Sequence, residues 1–217
     1  MVAPKLVSPV LCLVTDRTLC GIDALPEKVE QAVAGGVTMV QLREKDLQGG
    51  ELLKLAEAIE RKISGRALFI INDRLDVALA MNADGVHLGE SGMPVAIARR
   101  LLGPGKLVGR SVHSLHGARN AETEGVSYLI AGTIYETRSK PGKLPEGLAL
   151  VKEITGNLRI PCLGIGGVTE QNAKALMEAG AYGAAVVSSL LSAKNPESAA
   201  RGLLSAMRSG PVAYAAR

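Results

Sequence analysis

The sequence predicts a (β/α)₈ barrel on three observations: a short β-branched apolar run recurs eight times in 217 residues, an amphipathic segment follows each run, and polar residues collect where the runs end. Apolar residues make up 47% of the chain while aromatics supply only 2% and Trp none, so Val, Ile, Leu and Ala must build the core. Branched aliphatics suit parallel strands, which helices cover on the outer face and which therefore read as continuous apolar runs.

The runs are VLCLVTD from Val10, TMVQLRE from Thr38, ALFIIND from Ala67, GVHLG from Gly85, LVGRSVH from Leu107, SYLIAGTI from Ser127, PCLGIGG from Pro161 and GAAVVSS from Gly183. Between them, segments such as GELLKLAEAIERKISG (50–65) and TEQNAKALMEAG (169–180) place apolar residues at i, i+3, i+4 and i+7 and end in Gly, the pattern of an outer helical ring. An open doubly wound sheet would need a glycine fingerprint at its first turn, and VTDRTLCGIDAL has none. No linker separates the units, so residues 1–217 are expected to form one domain, with 211–217 a frayed tail. The longest irregular stretch is 136–146, a length often functional in compact domains.

The net charge of +4 is spread along helices and interleaved with Glu, which argues against a nucleic-acid partner and for small anions. Three cysteines, Cys12, Cys20 and Cys162, lack metal-type spacing and read as reduced, mostly buried thiols. With no leader-type h-region and no apolar stretch near the ~20 residues of a membrane span, the chain reads as a complete cytoplasmic protein with no membrane partner.

Active sites of such barrels form at the C-terminal strand ends, and polar residues accumulate there. Strand two ends in Gln41, Arg43, Glu44 and Lys45; strand three in Asn72, Asp73 and Arg74; strands four and five in His87, Glu90, Ser111 and His113; strand six is followed by Thr137, Arg138, Ser139 and Lys140. IGGV (165–168) and VVSS (186–189) read as a phosphate cradle after strands seven and eight, where glycine admits backbone N–H groups and a helix start adds its dipole. Lys45, Lys140 and Arg43 are cations for a second, more highly charged group such as a diphosphate. Asp73 suits Mg²⁺ as a hard carboxylate, or the N-cap of the following helix, or both. His113 stands where a proton shuttle would be useful.

In this order QLREK (41–45), INDR (71–74), GRSVHS (109–114), YETRSK (135–140), IGGV and VVSS resemble the family of thiamine phosphate synthase and the related thiazole tautomerase. The resemblance spans nearly the whole chain and implies a transferase of thiamine biosynthesis. It would join an aminopyrimidine methyl diphosphate to a thiazole phosphate, or its carboxylate, and release diphosphate. It implies that Gln41, Arg43, Lys45, Asn72, Ser111 and Lys140 contact the pyrimidine diphosphate, with Lys140 and Arg43 the catalytic cations. By the same resemblance Asp73 holds Mg²⁺, and Thr137, Ser139, Gly167, Val187 and Ser188 hold the thiazole phosphate.

Two positions depart from the synthase pattern. Gly92 stands where a second Mg²⁺-binding aspartate is usual, which leaves three alternatives, a weaker metal site, Glu90 as a ligand, or no metal, and Glu136 stands where proline is usual. Two other readings share the cradle: a tautomerase in which His113 moves the proton, and a non-catalytic barrel that binds thiazole phosphate. The partners expected are the phosphorylated pyrimidine and thiazole and, for the chain itself, further copies in a homo-oligomer.

Overall fold

The structure, a computed structural model, describes residues 4–137, 142 and 144–210. Eight parallel strands, β1 Val10–Val14, β2 Met39–Leu42, β3 Leu68–Asn72, β4 Gly85–Leu88, β5 Leu107–Val112, β6 Tyr128–Ala131, β7 Cys162–Ile165 and β8 Gly183–Val186, pair in chain order and close as β8 bonds β1. The helices are α1 Leu25–Ala34, α2 Gly49–Ile63, α3 Leu75–Ala80, α4 Val95–Leu102, α5 Leu115–Thr123, α6 Gly147–Asn157, α7 Ala173–Glu178, α8 Ser188–Leu191 and α9 Pro196–Arg208. The frayed tail expected at 211–217 lies outside the described residues.

Side chains on a strand alternate between its two faces, and the apolar residues divide accordingly into two packing layers. Leu11, Leu13, Val40, Leu42, Ile71 and Val86 point outward into the helical ring. Val10, Cys12, Val14, Met39, Ile70, Leu107, Tyr128, Ile130, Leu163 and Ala185 fill the barrel's interior. Most strands carry apolar residues on both faces, which is why the runs read as largely unbroken.

Local signals set the helix ends. In α2, Gln48 and Glu51 form a reciprocal capping box; Ser114 caps α5 and Asn195 caps α9, where Pro196 occupies the first turn. The helix expected over 169–180 forms only as α7. Asn172 accounts for the shortfall, because its Oδ1 accepts from the Thr169 N–H at 2.8 Å and its Nδ2 donates to Gly167 O at 2.9 Å, holding 167–172 as a turn. No helix among the described residues is long and apolar enough to cross a membrane.

Candidate active site

The inward register that fills the barrel continues past the strand ends and selects the residues of a cavity of about 490 Å³. On β2 the inward positions run Met39, Gln41, Arg43, Lys45; on β3, Ile70 and Asn72; on β4, His87 and Gly89; on β5, Leu107, Gly109, Ser111 and His113. Gln41, Arg43, Lys45, Asn72, His87, Ser111 and His113 all line the cavity, with Thr137, Gly167, Val187 and Ser188 on the opposite wall. Residues distant in sequence are thus brought together by one parity rule and by closure. Arg138, Ser139 and Lys140 fall outside the described residues.

Glu44 has the opposite parity and points away from the cavity. Its carboxylate, 3% exposed, takes the Arg17 backbone N–H at 3.1 Å and the Arg17 guanidinium at 3.1 Å. Arg17 also forks onto Asp46 with two 2.6 Å bonds, and this pairing lowers the Asp46 carboxyl to about 2. The Arg43 N–H donates to the buried Thr15 hydroxyl at 2.9 Å. These contacts pin the end of β2 to the end of β1, so Arg43 and Lys45 face the cavity.

A directed hydrogen-bond chain crosses the floor. Asp73 accepts on both oxygens, from the Gly89 N–H at 2.9 Å and from Asn72 Nδ2 at 2.8 Å. Asn72 must therefore accept on Oδ1, which it does from Gln41 Nε2 at 2.8 Å. Gln41 Oε1 is left as a buried acceptor with no partner among the described residues.

Asp73 does not cap α3. The cap position is Arg74, with no side-chain bond to the helix, and Asp73 adopts a left-handed backbone (φ +56°) that swings its carboxylate onto Gly89. The Arg74 guanidinium turns to Asp76 at 2.5 Å.

Lys45 Nζ lies 3.8 Å from Asp73 Oδ2. No group of three or more His, Cys, Asp or Glu side chains able to hold a metal occurs among the described residues. A single carboxylate at the mouth of the cavity is compatible with Mg²⁺, an ion that takes one or two carboxylates and fills its octahedron with phosphate and water. Glu90 pairs with His113, Nδ1 to Oε2 2.8 Å, and its loop is tied down by Arg110, which donates to the carbonyls of Glu90 at 2.6 Å and Met93 at 2.8 Å. Gly92 lies in the same loop, where a Cβ would stand 3.1 Å from Asp73 Oδ1.

On the opposite wall Gly166 and Gly167 have φ of +102° and +62°, and a Cβ on Gly167 would meet Glu136 O at 2.4 Å, so both position and space require glycine. The helix start next to the cradle is that of α8 at Ser188, directly after Val187. α7 begins only at Ala173, so the dipole expected beside IGGV is absent there and VVSS alone carries a helix start. Ser189 Oγ donates to Val168 O at 2.5 Å and joins the two halves of the cradle.

His87 was legible as a strand-end polar residue, and the structure places it on the cavity wall. It is 2% exposed, and burial pushes its pKa down to about 3. Its Nε2 lies 2.9 Å from Ser111 Oγ.

A model of the thiamine monophosphate synthase family matches residues 11–190. The thiamine-phosphate synthase of Chlorobium luteolum is 46% identical over 202 residues, covering 92% of this chain and 93% of its own. That of Clostridium acetobutylicum is 43% identical, covering 88% and 91%. Among solved structures, the thiamine phosphate pyrophosphorylase of Pyrococcus furiosus superposes with a TM-score of 0.83 at 33% identity, covering 92% of this chain and 96% of that one. A 3-hexulose-6-phosphate synthase, at 22% identity and a TM-score of 0.72, shares the fold.

Proposed function

Because this chain belongs to the thiamine monophosphate synthase family, we propose a division of labour in its pocket for the synthesis of thiamine phosphate. The protein is a transferase of thiamine biosynthesis that acts on a phosphorylated pyrimidine and a phosphorylated thiazole. In the reaction the C–O bond to the diphosphate breaks, its electron pair leaves with the diphosphate, and the thiazole nitrogen supplies the pair for the new C–N bond. No covalent nucleophile is required.

The observation that carries the division is the polarity of the cavity, with Arg43 and Lys45 on one side, Lys45 paired to Asp73 beside it, and Gly167, Val187 and Ser188 on the other. The diphosphate faces Arg43 and Lys45, with Lys140 the third cation of the proposed set, and these charges stabilise the negative charge that develops on departure. Mg²⁺ would be held by Asp73 and would add positive charge to the diphosphate oxygens. Gln41 Oε1, fixed as an acceptor by the chain from Asp73, suits the amino group of the pyrimidine, with Asn72 and Ser111 beside it. The thiazole phosphate takes Gly167, Val187 and Ser188 at the start of α8, with Thr137 and Ser139. Buried reduced thiols at Cys12 and Cys162 support a cytoplasmic setting.

Incubation with the pyrimidine diphosphate, the thiazole phosphate and Mg²⁺ is expected to release diphosphate and yield thiamine phosphate. No release under any metal condition would overturn the assignment. One observation favours a second activity, thiazole isomerisation: the Glu90–His113 pair is built into the same cavity. Proton exchange from a thiazole carboxylate phosphate without the pyrimidine, abolished by His113→Gln, is its test. Sedimentation velocity tests the proposed homo-oligomer, for which a mass of one chain at micromolar concentration is the contrary result.

A further inference from the structure

Beside Gln41 Oε1, two buried side-chain polar atoms among the described residues have no hydrogen-bond partner: His87 Nδ1 and the Tyr128 hydroxyl. The two rings are 5.6 Å apart, tilted by 34°, and both press against Gly109. A Cβ on Gly109 would fall 2.6 Å from His87 Nδ1 and 2.2 Å from Tyr128 Cζ. The imidazole is therefore wedged, with Nδ1 in the barrel's interior and Nε2 at 2.9 Å from Ser111 Oγ, on the cavity wall.

The wedge decides where the hydrogens lie. A proton on Nδ1 alone would bury an N–H with no acceptor, which costs more than leaving a lone pair unpaired. The other neutral tautomer carries its hydrogen on Nε2, and the imidazolium has one there as well. Nε2 then donates, Ser111 Oγ accepts, and the Ser111 O–H has to point elsewhere.

We propose that His87 is a positioning residue that makes Ser111 an obligate hydrogen-bond donor to the diphosphate of the pyrimidine substrate. Diphosphate oxygens only accept, so a hydroxyl already turned outward meets them without reorganising. As the C–O bond breaks and its electron pair moves onto the diphosphate, the Ser111 hydrogen bond strengthens and its proton stays on Oγ. If the hydroxyl pointed instead at the imidazole, its oxygen would present lone pairs to an anion. The role rests on the synthase reading of the cavity.

Two measurements test it. The chain has three histidines, so ¹⁵N spectra of the ring nitrogens in the unmodified protein can be assigned by loss of signals in His113→Gln and His116→Gln. The remaining ring, His87, is expected to show a protonated Nε2 and a bare Nδ1; the reverse tautomer overturns the proposal. In steady-state assays Ser111→Ala and His87→Phe are each expected to lower kcat by about a hundredfold, the scale of one preorganised donor, with KM for the thiazole phosphate unchanged. The double variant is expected to be no slower than the slower single variant, whereas multiplicative losses would mean the two act separately and would overturn the coupling. Should His87→Phe fail to fold, the tautomer still decides. An unmodified protein that releases no diphosphate refutes the synthase reading, while the tautomer reports on His87 by itself.

Discussion

Gly92 offers a test of the proposed metal site at Asp73. A Cβ there would lie 2.9 Å from Gly89 O and 3.1 Å from Asp73 Oδ1, close enough that the turn must give by a few tenths of an ångström. Gly92→Asp would bring a second carboxylate beside Asp73. Without metal the two like charges repel, and the variant is expected to be less stable by about 1 kcal/mol. With Mg²⁺ its metal half-saturation is expected to fall by roughly tenfold, read from turnover against Mg²⁺ concentration; an unchanged curve would remove Asp73 as the metal's holder.

Arg43→Lys keeps the charge and loses the fork, so KM for the pyrimidine diphosphate is expected to rise about tenfold with KM for the thiazole phosphate unchanged. His87 also gives an acid limb. Its pKa is lowered from 6.5 to about 3 by burial, so below pH 6.5 the unfolded chain takes up a proton that the folded one refuses. Its contribution to stability is complete above that pH and is lost at up to about 1.4 kcal/mol per pH unit as the pH falls towards 3. Urea unfolding at pH 7 and pH 5 is expected to show a smaller difference for His87→Phe than for the parent.

At the scale of elements, the clamp between the ends of β1 and β2 decides which charges face the cavity. Glu44 is buried on the outer side and holds Arg17 by both backbone and guanidinium, so Arg43 and Lys45 on either side of it turn inward. Glu44→Ala leaves the Arg17 N–H unsatisfied and is expected to cost about 1–3 kcal/mol in urea unfolding. It should also raise KM for the pyrimidine diphosphate, because the β2 end loses its anchor. A stable variant with unchanged KM would show that the strand pairing alone orients the cations. The other wall depends on a second joint, where the Ser189 hydroxyl ties the start of α8 to Val168 and so fixes the cradle across β7 and β8.

Over the whole molecule, closure of the barrel creates two sealed layers, and its cysteines report on them. Cys12 lies inside the barrel and Cys162 between barrel and helices; burial pushes both thiols up to about 12. Cys20 is only half-buried, in the loop after β1. In the native protein at pH 8 one thiol per chain is expected to react with a disulfide reagent, and all three after unfolding in denaturant. Prompt reaction of more than one native thiol would mean that the barrel opens easily.

The order of the strands, the helical spacers, the clustering of charge at strand ends and the glycines of IGGV were all legible in the sequence, because each depends on neighbours within a few residues. The sequence by itself also pointed to closure, through eight repeated units and a first turn with no glycine fingerprint of an open doubly wound sheet. What only the tertiary structure decided is the phase. Strands apolar on both faces do not reveal which alternate residues point inward, so Arg43 and Glu44 are indistinguishable until Arg17 is seen holding one of them outside. The left-handed turn at Asp73, the late start of α7 after Asn172 and the wedging of His87 against Tyr128 over Gly109 have the same origin. Each is settled by a partner on another strand or turn, brought near by packing and by closure of the barrel.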